Sequence, residues 1–280
     1  MALPYEFKAA DVIKEGRCSQ EHVNEIKKWL KPAPLLQMQD ELIVLLLLSC
    51  ENDVEASKIT LKNYFRIKKK APELFSNQDI DHASLEKASQ VSISSSLPKR
   101  INNSVIHLYR LQDYDYRNFV MEDVFKLAFM TIAISQMYSP PDNQIVLIDM
   151  EGITLMHLTC IKLTVLKNFI DFLQDAIPLR ITKIHFFNVN YVAEKAIAIS
   201  KLFMKKQLVE TMEIHPTSMK IEEFHQKWIP ATHLPKEYGG DLPSYIELND
   251  KSNQYFRKLK PFFEAEEKLV ADCDLSYLPK

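Results

Sequence analysis

The sequence predicts an α/β protein: a small N-terminal helical module, then a mixed or parallel sheet with flanking helices. Three observations carry this. Apolar residues recur at helical spacing through about the first 70 residues. From residue 105 onward, strand-like runs alternate with helix-like runs, and that order implies parallel pairing through crossovers. With 280 residues, 46% of them hydrophobic, the chain can bury one sizeable core and a small module beside it.

Taken in order, residues 20–30 set Val23, Ile26, Trp29 and Leu30 at helical spacing, and Pro32 and Pro34 stop that helix. Asp40 is the expected N-cap of a helix over 41–50. Its apolar run, 42–48, is far shorter than the roughly 20 residues a membrane span requires, so it reads as a buried helix. Glu51-Asn52-Asp53 breaks the chain, and 54–69 forms a third helix with Ile59, Tyr64, Phe65 and Ile67 as its apolar contacts, ended by Pro72. These helices make a module over 1–75. Residues 74–96 are polar and end Ser-rich; they read as a connector with a short helix over 80–87.

The alternating part follows. Residues 105–111 form a strand and 121–137 a long apolar helix. Pro140-Pro141-Asp142-Asn143 is a turn. Residues 144–149 are a buried strand, because Ile145, Val146, Leu147 and Ile148 are continuous and apolar. A helix over 159–176, a strand over 181–189, a helix over 191–210, a short strand over 211–215 and a short helix over 218–228 complete a domain spanning 76–248. Residues 249–280 read as a polar C-terminal helix over 250–270 and a tail.

Composition narrows the function. A net charge of -2 argues against non-specific nucleic-acid binding. Cys18, Cys50, Cys160 and Cys273 form no CxxC pair and read as reduced thiols of a cytosolic protein. Residues 1–12 lack the apolar stretch of a secretory signal. The expectation is a cytoplasmic protein that meets membranes only transiently. Only Gly16, Gly152, Gly239 and Gly240 occur, and no GxGxxG, GxxxxGK[ST] or GxSxG is present. Kinase, dinucleotide-oxidoreductase and α/β-hydrolase readings therefore lose their sequence support. His157, His185, His215 and His225 lack metal-ligand spacing. Asp149 and Glu151 end a strand without a nucleophile or metal partner, and read as caps of the turn at Gly152. No catalytic residue, metal or cofactor is expected.

In Leu234-Pro235-Lys236-Glu237-Tyr238-Gly239-Gly240-Asp241-Leu242-Pro243, the paired glycines permit a tight reversal, which by itself means a turn closing the sheet domain. The segment also resembles the terminal signature of the CRAL-TRIO lipid-binding family. Ile148-Asp149-Met150-Glu151-Gly152 resembles that family's D-x-E-G strand end. Pro178-Leu179-Arg180 through Ile184-His185-Phe186-Phe187-Asn188 resembles its P-L-[KR]-x-x-x-I-H-x-x-N segment, and Leu61-Lys62-Asn63-Tyr64-Phe65 the last helix of its N-terminal module. The pieces stand in the family's order, from about residue 20 to 248.

The resemblance implies an apolar cavity floored by the sheet and covered by a mobile gate helix, here 191–210. Val192, Ala196, Ile199 and Phe203 share one face, extended by Ile197 and Met204, with Glu194, Lys201 and Lys205 opposite. An ordinary helix packed on a sheet shows the same pattern, and a dry core uses the same residues as a lipid cavity. The matched positions imply ligand contacts from Phe125, Phe129, Ile148, Ile161, Phe169, Phe172 and Leu173. Further contacts are implied for Leu179, Ile181, Ile184, Ile197 and Met204. The family's tocopherol-transfer members also hold phosphoinositide headgroups on basic residues. Arg180 matches one such position; the next is Thr182, with Lys183 beside it, and the others fall on Leu48, Cys50, Gln207 and Thr211. A rearranged patch of Arg180, Lys183, Lys201, Lys205 and Lys206 would attract an anionic membrane; solvated helix charges are the plain alternative. A second basic run, Lys62, Arg66, Lys68, Lys69 and Lys70, suits a helix C-terminus, with membrane docking as the sharper reading. The implied function is binding and transfer of a hydrophobic ligand such as a tocopherol, retinoid or carotenoid, without enzymatic chemistry. A phosphoinositide-sensing interaction module without transfer activity is the alternative.

Overall fold

The structure, a computed structural model, describes residues 3–30 and 38–277. Pro32 and Pro34, expected to stop a helix, lie outside the described residues.

Five helices open the chain: α1 (Ala9–Lys14), α2 (Gln20–Leu30), α3 (Asp40–Ser49), α4 (Val54–Lys70) and α5 (Pro72–Phe75). Short α1 carries too few residues for its spacing to announce it. The apolar run of α3 is buried from Leu42 to Leu47 because α1, α2 and α4 surround it. Asp40 does not cap α3. It lies inside the first turn and pairs with Lys27 at 2.7 Å, while Gln39 takes the cap position without a side-chain bond. Asp53 does cap α4, accepting from the Ala56 amide at 2.9 Å. Ile59, expected among the apolar contacts of α4, faces solvent. Pro72 opens α5 as well as ending α4, because a missing N–H costs nothing in a first helical turn.

The supposed connector is structured. It holds α6 (Ala83–Val91) and then β1 (Ser92–Ser96), an edge strand antiparallel to β2 (Ser104–Leu111). The serines are buried at no polar loss because each hydroxyl has a partner. Ser92 Oγ donates to the Ala88 carbonyl at 3.1 Å, Ser94 Oγ meets Thr131 Oγ1 at 2.8 Å, and Ser252 Oγ donates to Ser95 Oγ at 3.3 Å.

After β2 come α7 (Met121–Met137), β3 (Asn143–Asp149), α8 (Leu155–Leu158), α9 (Leu163–Asp175) and β4 (Arg180–Val189). Then follow α10 (Tyr191–Lys201), α11 (Lys206–Val209), β5 (Met212–Pro216) and α12 (Ile221–Lys227). The sheet is mixed, in the order β1-β2-β3-β4-β5, with every pair after β1·β2 parallel. The register slips between β3 and β4, where Gln144 faces Ile181 but Ile145 faces Lys183. The extra residue, Thr182, is a bulge that reverses side-chain parity along β4.

Of two long helices expected from spacing, over 159–176 and 191–210, the first is shortened and the second divided. Residues 159–162 stay outside α9, and 202–205 separate α10 from α11. Neither Gly nor Pro causes the second break. The Gln174 side chain does, donating to the Phe203 carbonyl at 3.1 Å and accepting from the Lys205 amide at 2.9 Å. The C-terminal helix is also two, α13 (Tyr245–Lys258) and α14 (Lys260–Asp272), divided where Pro261 enters the first turn of α14. Ser244 and Glu247 start α13 as a reciprocal capping box. Helix α13 packs on β1, and α14 on α4. There Lys68 is buried and pairs with Glu266 at 2.6 Å, so it belongs to the core rather than to an exposed basic run.

The sheet separates two apolar clusters. Ile106, Leu108, Leu147 and Phe187 point to one face and pack with Phe224, Ile229, Leu234 and Tyr238. The alternate residues, including Val146, Ile184 and Phe186, join the larger cluster shared with the N-terminal helices.

Candidate functional site: an apolar cavity

On the face of the larger cluster the sheet does not pack solidly. A cavity of about 280 Å³ lies between it and α7, α9 and α10, near the lower end of volumes typical for small-molecule sites. Its floor is Ile93, Tyr109, Val146, Ile148, Ile184 and Phe186. Met121, Val124, Phe125 and Ala128 reach it from α7, and Leu166, Phe169, Ile170 and Leu173 from α9. Ala196, Ile197 and Ser200 of α10, with Met204 and Leu208 beyond, cover it, and Ile153, His157, Leu158 and Ile161 close the far end. The Thr182 bulge lets both Ile181 and Ile184 face inward, which strict alternation over three positions would forbid. Phe125 and Phe169 stack with ring centroids 3.9 Å apart.

Of the residues implied by the family match, Phe125, Ile148, Ile161, Phe169, Leu173, Ile181, Ile184, Ile197 and Met204 line this cavity. Phe129, Phe172 and Leu179 do not. Phe129 stacks on Phe75 at 4.8 Å, and Phe172 meets Phe75 at 4.7 Å and Tyr64 at 5.9 Å, so both rings are taken up by contacts with α4 and α5. Leu179 lines a separate, solvent-open hollow beside Cys50 and Lys205.

Helix α10 is a well-defined element. Asn190 caps it, its Oδ1 accepting from the Val192 and Ala193 amides at 2.9 and 3.0 Å. Ala193 and Ile197 are buried, while Tyr191 and Lys201 face water.

The basic residues do not form one patch. Lys183 lies on the opposite face of the sheet, because the bulge sends it out beside Ile145; there it pairs with Glu213 at 2.8 Å and sits 5.1 Å over the Trp228 ring. Arg180 pairs with Glu51 at 2.5 Å, Lys205 with Asp175, and Lys206 with Glu210 at 3.6 Å. Lys201 has no ion pair among the described residues. Exposed apolar side chains also occur in the segments next to the far end of the cavity, Val120, Leu155, Met156, Leu163 and Tyr191, interspersed with exposed Glu151 and Lys162.

The segments that carry the family resemblance converge on Asp149. Its Oδ1 accepts from Asn188 Nδ2 at 2.7 Å and from the Glu151 amide at 3.0 Å; its Oδ2 accepts from the Tyr238 hydroxyl at 2.7 Å and lies 3.3 Å from Arg110. Burial, reinforced by the Asp149 charge, pushes the Tyr238 phenol far up, so it stays a donor. Gly239 follows at φ +67, and a Cβ on Gly240 would fall 2.0 Å from the Leu234 carbonyl oxygen. Asp149 and the paired glycines thus fasten the loop after α12 to the strand ends. Spacing did not reveal this knot, although the motif residues themselves were visible.

Sequence reasoning missed the polar residues on the cavity wall, among them His157 and Gln144. His157 Nδ1 meets Thr154 Oγ1 at 2.9 Å, its Nε2 has no partner among the described residues, and burial lowers its pKa, partly opposed by Asp115. Gln144 also reaches the wall. An isolated amide at the head of the apolar run 145–148 was the available signal. His185 is buried on the other face, its Nδ1 3.0 Å from His215 Nε2. Among the described residues there is no cluster suited to a metal ion, and no helix long and apolar enough to cross a membrane.

Comparison with known proteins gives two family matches: a CRAL/TRIO domain over residues 100–240, and a Pinta-like UBA domain over residues 17–85. An alpha-tocopherol transfer protein-like protein of Mus musculus is 23% identical over 206 residues, 72% of this chain and 59% of its own length. Clavesin-1 of Xenopus laevis is 24% identical over 199 residues, 69% of this chain and 58% of its own. The alignments thus cover less than two thirds of either relative. The crystal structure of Sfh5 aligns with 79% of this chain and 81% of its own at a TM-score of 0.46 and 14% identity.

Proposed function

This chain belongs to the CRAL/TRIO domain family, and we propose that it binds one hydrophobic small molecule or lipid between its sheet and α10 and carries it between membranes. The observation that carries this reading is the apolar cavity between one face of the sheet and α10, while an apolar cluster covers the other face. Removing about ten methylene-sized groups from water there is worth about 8 kcal/mol, which corresponds to a Kd of about 1 μM. Such a ligand leaves only when α10 moves, and a gate of this kind needs two states a few kcal/mol apart. No step breaks a bond, so the cycle asks for no catalytic group.

Docking in this reading relies on the apolar rim of Val120, Leu155, Met156, Leu163 and Tyr191. Most of the basic residues first considered for headgroup binding are paired with carboxylates. Lys201 adds about 1 kcal/mol of attraction to an anionic surface. The test is ligand transfer from donor to acceptor vesicles, with native mass spectrometry of the purified chain to identify what it carries. Transfer that rises with protein concentration supports a carrier. Vesicle binding without transfer would instead favour the phosphoinositide-sensing module.

A further inference from the structure

A cavity of about 280 Å³ holds about ten groups the size of a methylene or a water molecule. A cargo with a longer chain needs more room. The solvent-open hollow beside Cys50 and Lys205 has a volume of about 420 Å³. Leu173, Ile181 and Leu208 line both spaces, so the two share a wall of three apolar side chains.

Beyond that wall the chemistry changes. The cavity is walled mostly by hydrocarbon, whereas the hollow carries Ser49, Cys50, Thr60, Gln174, Gln207 and Thr211. Two of these hydroxyls keep open acceptor sites. Ser49 Oγ donates its proton to the Leu46 carbonyl at 2.8 Å and Thr211 Oγ1 to the Leu208 carbonyl at 2.7 Å, which leaves oxygen lone pairs for a visiting donor. Gln207 is exposed and brings both a donor and an acceptor. The charged groups are already matched. Arg180 pairs with Glu51 and Lys205 with Asp175, so an anion entering the hollow meets two carboxylates along with the two cations. An uncharged hydroxyl displaces neither pair. The hollow also touches the hinge of the gate: Gln174, whose side chain holds residues 203–205, lines it, as do Lys205 and Leu208.

We infer that the cargo is an uncharged amphiphile that spans both spaces, its hydrocarbon body in the cavity and a hydroxyl-bearing end in the hollow beside Cys50. The chain crosses at Leu173, Ile181 and Leu208. Leu173 and Ile181 are only partly buried, so rotamer changes there are fast and part the wall without moving the backbone. The tail then lies toward His157 and Ile161, and the polar end waits at the hinge, where opening exposes it first. This inference rests on the carrier reading.

The test loads the full chain with oleyl alcohol and follows alkylation of each cysteine by iodoacetamide, read by peptide mass spectrometry. Cys50 lines the hollow, Cys160 adjoins Ile161 at the other end of the cavity, and Cys18 and Cys273 are buried. Loading should slow Cys50 severalfold and Cys160 less. Slowing of Cys160 that equals or exceeds that of Cys50, or no slowing of Cys50 at saturation, overturns the inference and leaves the carrier reading standing. A second variant fills the hollow. Gln207→Trp, at an exposed position, should expel at least about two methylene-sized groups and weaken oleyl alcohol about tenfold or more relative to 1-decene, which fits within the cavity. Both affinities come from displacement of diphenylhexatriene, and an unchanged ratio overturns the span. Oleate, the matched anion, should bind about tenfold or more weakly than the alcohol; equal or tighter binding overturns the uncharged end. A chain that binds neither oleyl alcohol nor diphenylhexatriene overturns the carrier reading itself.

Discussion

Replacing Gln174 with methionine should make the protein release its ligand faster. The break between α10 and α11 is held to the end of α9 by one carboxamide, which bonds the Phe203 carbonyl and the Lys205 amide. Methionine fills a similar volume and makes neither bond. Both bonds are near the surface, where water replaces a lost partner, so each contributes about 0.5–1.5 kcal/mol net. Together they hold the end of the gate by about 1–3 kcal/mol, and losing them shifts its opening equilibrium by about 5–150-fold. The Lys205–Asp175 pair remains, but at the surface it adds about 0–1 kcal/mol. The assay preloads the chain with diphenylhexatriene, mixes it with excess vesicles in a stopped-flow instrument, and follows first-order loss of the bound signal. The rate should rise at least about fivefold. A rate equal to that of the natural chain, in a variant of unchanged thermal stability, would refute the idea that opening runs through residues 202–205.

Three further outcomes are expected. Met204→Asp puts a charge on the cavity wall and should weaken probe binding by about tenfold or more, read by fluorescence titration. Leu155→Asp with Met156→Asp should lower vesicle binding at all salt concentrations, whereas Lys201→Glu should lower it modestly and only at low salt; co-sedimentation distinguishes them. Stability should fall as pH drops below about 6.5. His107 stays neutral in the fold down to about pH 3, while its unfolded counterpart takes up a proton near 6.5, so the unfolded state binds more protons in that window. By pH 5 this removes about 2 kcal/mol, and His107→Phe should flatten that share of the pH dependence in urea titrations.

Where one local pattern decides, the sequence was readable. Helix spacing placed α2 and α7 with their observed limits, and the continuous apolar run placed β3 to within one residue. Phe169 and Leu173 of α9 and Ile197 of α10, which line the cavity, were implied by the family match rather than by spacing. What escaped was settled by tertiary partners. β1 is a strand because Ser94 and Ser95 meet Thr131 and Ser252, which lie far away in sequence. The helix over 191–210 breaks because Gln174 competes for its backbone. Lys183 faces away from the other basic residues because of a single bulge residue, Thr182, which no propensity signals. Phe129 and Phe172 stand at positions the family match implied for the cavity, yet the N-terminal helices claim their rings.

The two sides of the sheet carry unequal duties. On one side, Phe187 packs against Phe224 and Tyr238, and Asp149 ties the strand ends together. In the carrier reading, a guest arriving on the other side meets that braced floor, and the work of admission falls on a single helix. On that reading residence time and folding stability become separate properties: changes along α10 would tune how long cargo stays, while changes beneath the floor would decide whether there is a vessel at all.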